Sequence, residues 1–220
     1  MKVGVISCEM LAHEIKRVIV KHPEVTHLEI MDWRLHINPE LLCETLSQKI
    51  YALETQVDTV VLAYGRCQTM DKLPRNFKIP VFYPKAEDCI GVLLGQKRYQ
   101  QELLTEAGTW FLTPGWTEMG MSMIFHELQL EGMAENGHDP LALAHRMLKD
   151  YTRALYIRMP GCDQDRLRHR AQTIAQEFNF RLEECAGAET RLQRTLKAAI
   201  AAGAIRQKPS DQQRWGVEAI

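Results

Sequence analysis

At 220 residues the chain is long enough to bury a substantial core, and a single domain over residues 1–205 with a polar tail at 206–220 is the expectation. Lys and Arg number 27 against 28 Asp and Glu, so a formal net charge of −1 excludes the strongly basic profile of a nucleic-acid or anionic-membrane binder and leaves a small molecule as the natural partner. The first residues read as a strand without the apolar core of a secretory leader, and no run of about 18 apolar residues follows, so a cytoplasmic protein without a membrane span is expected.

Hydrophobic periodicity switches repeatedly between strand and helix. "KVGVIS" reads as a buried strand, and a helix follows from about Glu9 to His22, with Leu11, Ile15, Val18 and Ile19 at helical spacing. "VTHLEIMDW" is the second strand, and Pro39 to about Thr55 a helix with Asn38 as its cap. "DTVVLAYG" is apolar enough for a strand covered on both faces. "IPVFYP" gives a fourth strand, after which Asp88 caps a helix running to about Ala107. "GTWFLTPGW" is a fifth strand broken by Pro114-Gly115, followed by a methionine-rich helix over about 118–136 and another from Pro140 to Lys149. "RALYIRMPG" is a sixth strand, Asp163 to Phe178 a helix, "FRLEECAG" a weaker seventh strand, and Glu189 to Ala202 a last helix; Trp215 offers the tail a docking point. Strands alternating with helices predict an α/β fold of Rossmann-like type, an open and mainly parallel sheet with helices on both faces. In such sheets ligands lie beyond the carboxyl ends of the strands.

Six cysteines stand at 8, 43, 67, 89, 162 and 185, and in a reducing compartment a disulfide framework is not the reading for so uneven a spread. A lone cysteine is more often core than ligand, and Cys43 and Cys185 take that reading. Cys8, Cys67 and Cys89 differ because each ends or follows a strand. Cys8 and Cys89 also open helices, where backbone N–H groups and the dipole favour a thiolate, the form that binds metals. Three strand-end thiols therefore suggest one shared metal site in the crevice. Without a CxxC pair, this is neither a zinc ribbon nor a ferredoxin.

Five stretches in order, "GVISCEML", "LHINPELL", "LAYGRC", "PKAEDCIGVLLGQKRY" and "GTWFLTPGW", closely resemble the domain-of-unknown-function (DUF) 1638 family over about residues 1–190. The resemblance implies that Cys8-Glu9, Leu35-His36, Tyr64-Gly65 with Cys67, Asp88-Cys89, Gly95, Tyr99 and Gly115-Trp116 occupy the family's motif positions. It also implies an association with corrinoid-dependent methyltransfer systems. The chain departs from the pattern at Gln68, where glycine is usual, and at Lys85 and Glu87, where Arg and His are common.

The thiols admit three arrangements. With His36 they close a Cys₃His zinc site, which is structural. Alone, Cys8, Cys67 and Cys89 hold a [4Fe–4S] cluster by three irons and leave the fourth open to substrate. An open zinc site instead activates a substrate thiol as a methyl acceptor. The rim position favours an open site. Three sulfurs suit iron–sulfur and zinc alike, and His36 tilts toward zinc; its plain reading is a helix-entrance residue, and its functional one a ligand or proton carrier. Glu9 is a general base or simply a first-turn carboxylate, and Asp88 an N-cap first and an acid second. Tyr64, Tyr99 and Trp116 line a pocket or a core edge. Arg66 and Lys85 reach a carboxylate or phosphate unless they are plain surface.

"FHELQLEG" lacks the second His of a zincin helix, and no GxGxxG, GxxxxGK[ST] or GxSxG occurs. The expected function is metal-dependent catalysis on a small molecule, in methyl-group or sulfur chemistry. The rival is a noncatalytic accessory protein that carries a metal or corrinoid, or docks to a corrinoid protein or methyltransferase subunit.

Overall fold

The structure is a computed structural model that describes residues 1–67 and 69–206, the side chain of Arg206 excepted. Gln68, the tail from 207 and its Trp215 lie outside the described residues. The fold class is α/β with parallel strands, as the alternating periods require. The seven strands divide between two sheets, where one sheet was the expectation, and the chain divides into two compact units, Met1–Val92 with Glu189–Ile220 and Leu93–Ala188.

In the first unit, β1 (Val3–Cys8) is buried at every position. A 3-10 turn over Glu9–Leu11 leads into α1 (Ala12–Ile19), so the expected helix starts as a tighter turn and stops earlier. Then come β2 (Val25–Met31), α2 (Pro39–Leu53), β3 (Thr59–Ala63), the two-residue β4 (Val81–Phe82) and α3 (Cys89–Leu94). Asn38 caps α2 as expected, its side-chain oxygen accepting from the Leu41 N–H at 3.0 Å. The strand order is β2-β1-β3-β4, all parallel. Leu53 and Val57 cover Gly4 on one face. On the other, the last helix meets Thr59, which pairs with Val3. The sheet thus has helices on both sides.

The second unit opens with α4 (Gln96–Thr105), separated from α3 by Gly95 at φ +80°, a left-handed break in what reads as one continuous helix. β5 (Thr109–Leu112) ends earlier than expected, because Thr113 caps α5 (Pro114–Met119) and Pro114 fills its first turn. The methionine-rich stretch is likewise divided: Gly120 at φ +60° separates α5 from α6 (Met121–Glu127). α7 (Pro140–Met147), β6 (Arg153–Arg158), α8 (Gln164–Glu177) and β7 (Arg181–Ala186) complete the unit in the order β5-β6-β7. Its core gathers Trp110, Leu112, Ile124, Tyr156, Ile174 and Phe178, with Met121 and Met133 against it, so these methionines are packing residues. Finally α9 (Thr190–Arg206) returns to the first unit and lies on β3 and β4. No helix among the described residues is long and apolar enough to cross a membrane.

Candidate functional site

Sequence order and spatial order diverge in the first sheet at its centre. From β1 the chain steps to β2 on one side, then crosses to β3 on the other, so the connections leaving β1 and β3 part and open a crevice at their carboxyl ends. Cys8 is the last residue of β1, paired in register with Met31 of β2. Beside it Ser7 pairs with Ala63, the last residue of β3, so Tyr64 leaves the sheet next to Cys8. The crevice therefore opens between Cys8 and the segment Tyr64-Gly65-Arg66-Cys67.

That segment is clamped to the stretch before α3. The N–H of Arg66 donates to the Ala86 carbonyl at 2.8 Å and that of Cys67 to Glu87 at 2.9 Å. Gly65 lies so close to Asp88 that an added Cβ would stand 2.3 Å from its Cα and carbonyl carbon. Asp88 caps α3 as expected, Oδ1 accepting from the Gly91 N–H at 2.8 Å. The clamp brings Cys67 to the start of α3, where the backbone N–H groups of Cys89 and Gly65 act to lower its thiol pKa, against the larger opposite effect of burial. Cys67 itself sits at φ +43°, a conformation that strains any residue with a side chain.

Cys8 acts electrostatically on both Tyr64 and Cys67, and Cys67 acts on Tyr64. Cys8 and Tyr64 are buried, and Cys67 is partly so. Burial, with Glu9 and Asp32 beside it, pushes the Cys8 thiol up to about 11 against a lowering contribution from the Met10 N–H. Burial, then Cys8 and Asp88, push Cys67 up to about 12. The Tyr64 phenol rises further, by burial and by Cys8, Cys67 and Glu29. The thiolate expected of Cys8 at a helix start is thus corrected: desolvation outweighs the local N–H groups, and the resting group is a neutral thiol.

The expected residues separate into two sets. Cys8, Glu9, Tyr64, Cys67, Asp88 and Cys89 share the crevice rim of the first unit, although among the described residues no group of three or more His, Cys, Asp or Glu side chains is set to hold a metal ion. His36 bonds within its own 3-10 turn, Nδ1 standing 2.5 Å from the Trp33 carbonyl, which matches the helix-entrance reading. Arg66 is exposed and turned to Asp71. Tyr99 and Trp116 belong to the second unit: Tyr99 meets Phe111 edge-on at 5.2 Å, and Trp116 meets Trp110 at 5.9 Å. Cys185 is core, as expected, and Cys43 on α2 is partly exposed. Asp32 and Glu29 were not expected at the site. Their signal was the strand end itself, since Met31 stands beside Cys8 once β1 and β2 pair.

The family model described as "Protein of unknown function (DUF1638)" matches residues 30–196, so the chain belongs to that family. The matched span begins after Cys8 and Glu9, which owe their place in the site to the fold. No curated protein matches the chain.

Proposed function

We propose that this member of the family binds a metal centre through Cys8, Cys67 and Cys89 in the crevice between β1 and β3, and uses it for methyl-group or sulfur chemistry on a small molecule. The supporting observation is Cys67. A residue at φ +43° would be glycine if backbone comfort decided it, yet a cysteine stands there, beside a second buried thiol at the point where such sheets bind ligands.

The neutral resting thiols agree with a site that is completed by its ion. Metal binding displaces thiol protons, and a nearby cation inverts the pressure that burial puts on a thiol. Cys89 is the natural third sulfur because it opens α3 directly after Asp88, against whose backbone Gly65 of the Cys67 segment packs. Asp88 holds the start of α3 in place, and Tyr64 offers a phenolic O–H beside both thiols. The chain's contribution is to bind, to orient and to keep the crevice dry. When bound there, a metal would supply Lewis-acid polarisation of a substrate sulfur or oxygen.

The test is metal and acid-labile sulfide analysis of protein purified without oxygen. Iron with sulfide identifies a cluster, and equimolar zinc a mononuclear site. Cys8→Ser, Cys67→Ser and Cys89→Ser should each lower metal affinity at least about tenfold, since loss of even an outer-shell partner of a ligand costs that much, while Cys43→Ser leaves it unchanged. Metal-free protein in every preparation, or full occupancy in all three crevice variants, overturns the proposal.

A further inference from the structure

In the first sheet β2 stands at an edge: β1 pairs with one side of it, and among the described residues no strand pairs with the other. The Val3 N–H donates to the Glu24 carbonyl, so Val3 points its backbone groups toward β2, and by the alternation of a strand Val5 does the same. Val5 is in register with Leu28. In a parallel ladder a residue pointing inward bonds to the two neighbours of its partner, here His27 and Glu29, while the partner itself points away. Leu28 therefore turns its N–H and C=O to the open edge. Val25–Met31 contains neither proline nor lysine, the residues that most often blunt such an edge, and its register irregularity is confined to the amino end, where β1 passes from Val3 to Gly4.

The side chains indicate what pairs there. When β2 is laid antiparallel to itself about a two-fold axis at Leu28, His27 stands opposite Glu29 of the second copy, Thr26 opposite Ile30, and Leu28 opposite Leu28. Imidazole meets carboxylate on both sides of the axis, a β-branched pair flanks them, and an apolar pair sits at the centre. Within one chain the same groups stop short: His27 Nε2 stands 3.8 Å from Glu29 Oε2, beyond hydrogen-bond reach, while Lys49 takes the other oxygen at 2.5 Å. The same axis lets the two Leu28 residues exchange N–H and C=O as a hydrogen-bonded antiparallel pair. An axis at Glu29 would instead oppose carboxylate to carboxylate. Antiparallel pairing also lays the connection entering β2 beside the one leaving it, and these carry three exposed apolar side chains, Val20, Ile37 and Leu41. We infer that β2 is the interface of a homodimer, in which two copies pair antiparallel about Leu28 and join their first sheets into one.

The experiment is analytical ultracentrifugation of the full chain over a range of concentrations. Wild type should sediment as a reversible dimer. His27→Glu opposes two carboxylates on each side of the axis, and Glu29→Lys withdraws the acceptor from each imidazole, so each should raise the dimer dissociation constant at least about tenfold. Mixed in equal amounts, the two variants should associate with each other more tightly than either does with itself, because the mixed pair sets an acid opposite a base on both sides. Thr26→Lys, at an exposed position, tests the same edge if either variant disturbs the fold, and should weaken the dimer as well. A wild type that stays monomeric, a dimer unmoved by the folded variants, or two weakened variants that gain nothing on mixing overturns the inference. So does a monomer that dimerises only after truncation beyond Arg206, since the edge then belongs to the chain's own tail.

Discussion

Gly65 leaves no space for even a methyl group, and the obstruction is the backbone of Asp88, which cannot swing aside as a flexible side chain would. Gly65→Ala therefore has to push the Tyr64–Cys67 segment off α3, breaking the register that joins Arg66 to Ala86 and Cys67 to Glu87. The expected cost is about 3 kcal/mol, the upper range for overpacking. It is measured as a lower denaturant midpoint at unchanged slope; an unaltered midpoint refutes the clamp. At this scale much of the site was legible: cysteines at the ends of apolar runs, Asn38 and Asp88 as caps, and Gly65 as punctuation. The strain at Cys67 was not, because φ depends on the clamp and leaves no mark in residue type. The protonation of Cys8 was misjudged for a related reason, since burial of a strand end depends on what packs over it.

At the scale of elements, the amino ends of the second sheet are fastened by Arg153, whose side chain is only 3% exposed. It donates to Thr109 Oγ1 at 2.9 Å, to the Glu102 carbonyl at 3.1 Å, and to the carboxylates of Glu102 and Glu183 at 3.0 and 3.3 Å. Register aligns Thr109, Arg153 and Arg181 across β5, β6 and β7, so one guanidinium ties three strand starts to α4. Arg153→Ala leaves carboxylates facing a cavity and should cost about 2–4 kcal/mol, less than a fully buried pair because Glu183 is partly solvated. Hydrogen bonds from Arg181 first, and Arg153 after it, hold the Glu183 carboxyl below its ordinary 4.5. A depressed carboxylate stabilises the fold above that ordinary value and stops doing so as pH falls through its lower folded value. The stability gap between wild type and Arg153→Ala should accordingly narrow below about pH 4, read from unfolding curves at stepped pH. Element type was largely legible from periodicity, and the boundaries less so. Gly95 and Gly120 sit within strongly helical patterns, and whether a glycine there is tolerated or breaks the helix depends on tertiary packing.

For the whole molecule, periodicity identifies strands but not which of them pair, and so seven similar strands gave no sign of dividing into sheets of four and three. The return of α9 to the first unit was equally hidden, since the helix follows the second unit directly in the chain. Leu192, Leu196 and Ala199 of α9 are completely buried. Replacing one such leucine with alanine costs about 2–5 kcal/mol, so removing the helix exceeds what a domain holds in reserve. Truncation after Ala188 should therefore strip hydrogen-exchange protection from β1, β3 and β4 while β5, β6 and β7 keep theirs; equal loss in both sheets contradicts two separately cored units. The pairing of β1 with β3 has a bearing on how the proposed ion would be acquired. Cys8 and Cys67 become neighbours only when Val3 finds Thr59, a long-range event that comes late in folding. On the metal-site proposal, loading would follow folding, and a chelator should return the apoprotein intact, whereas a zinc finger unravels.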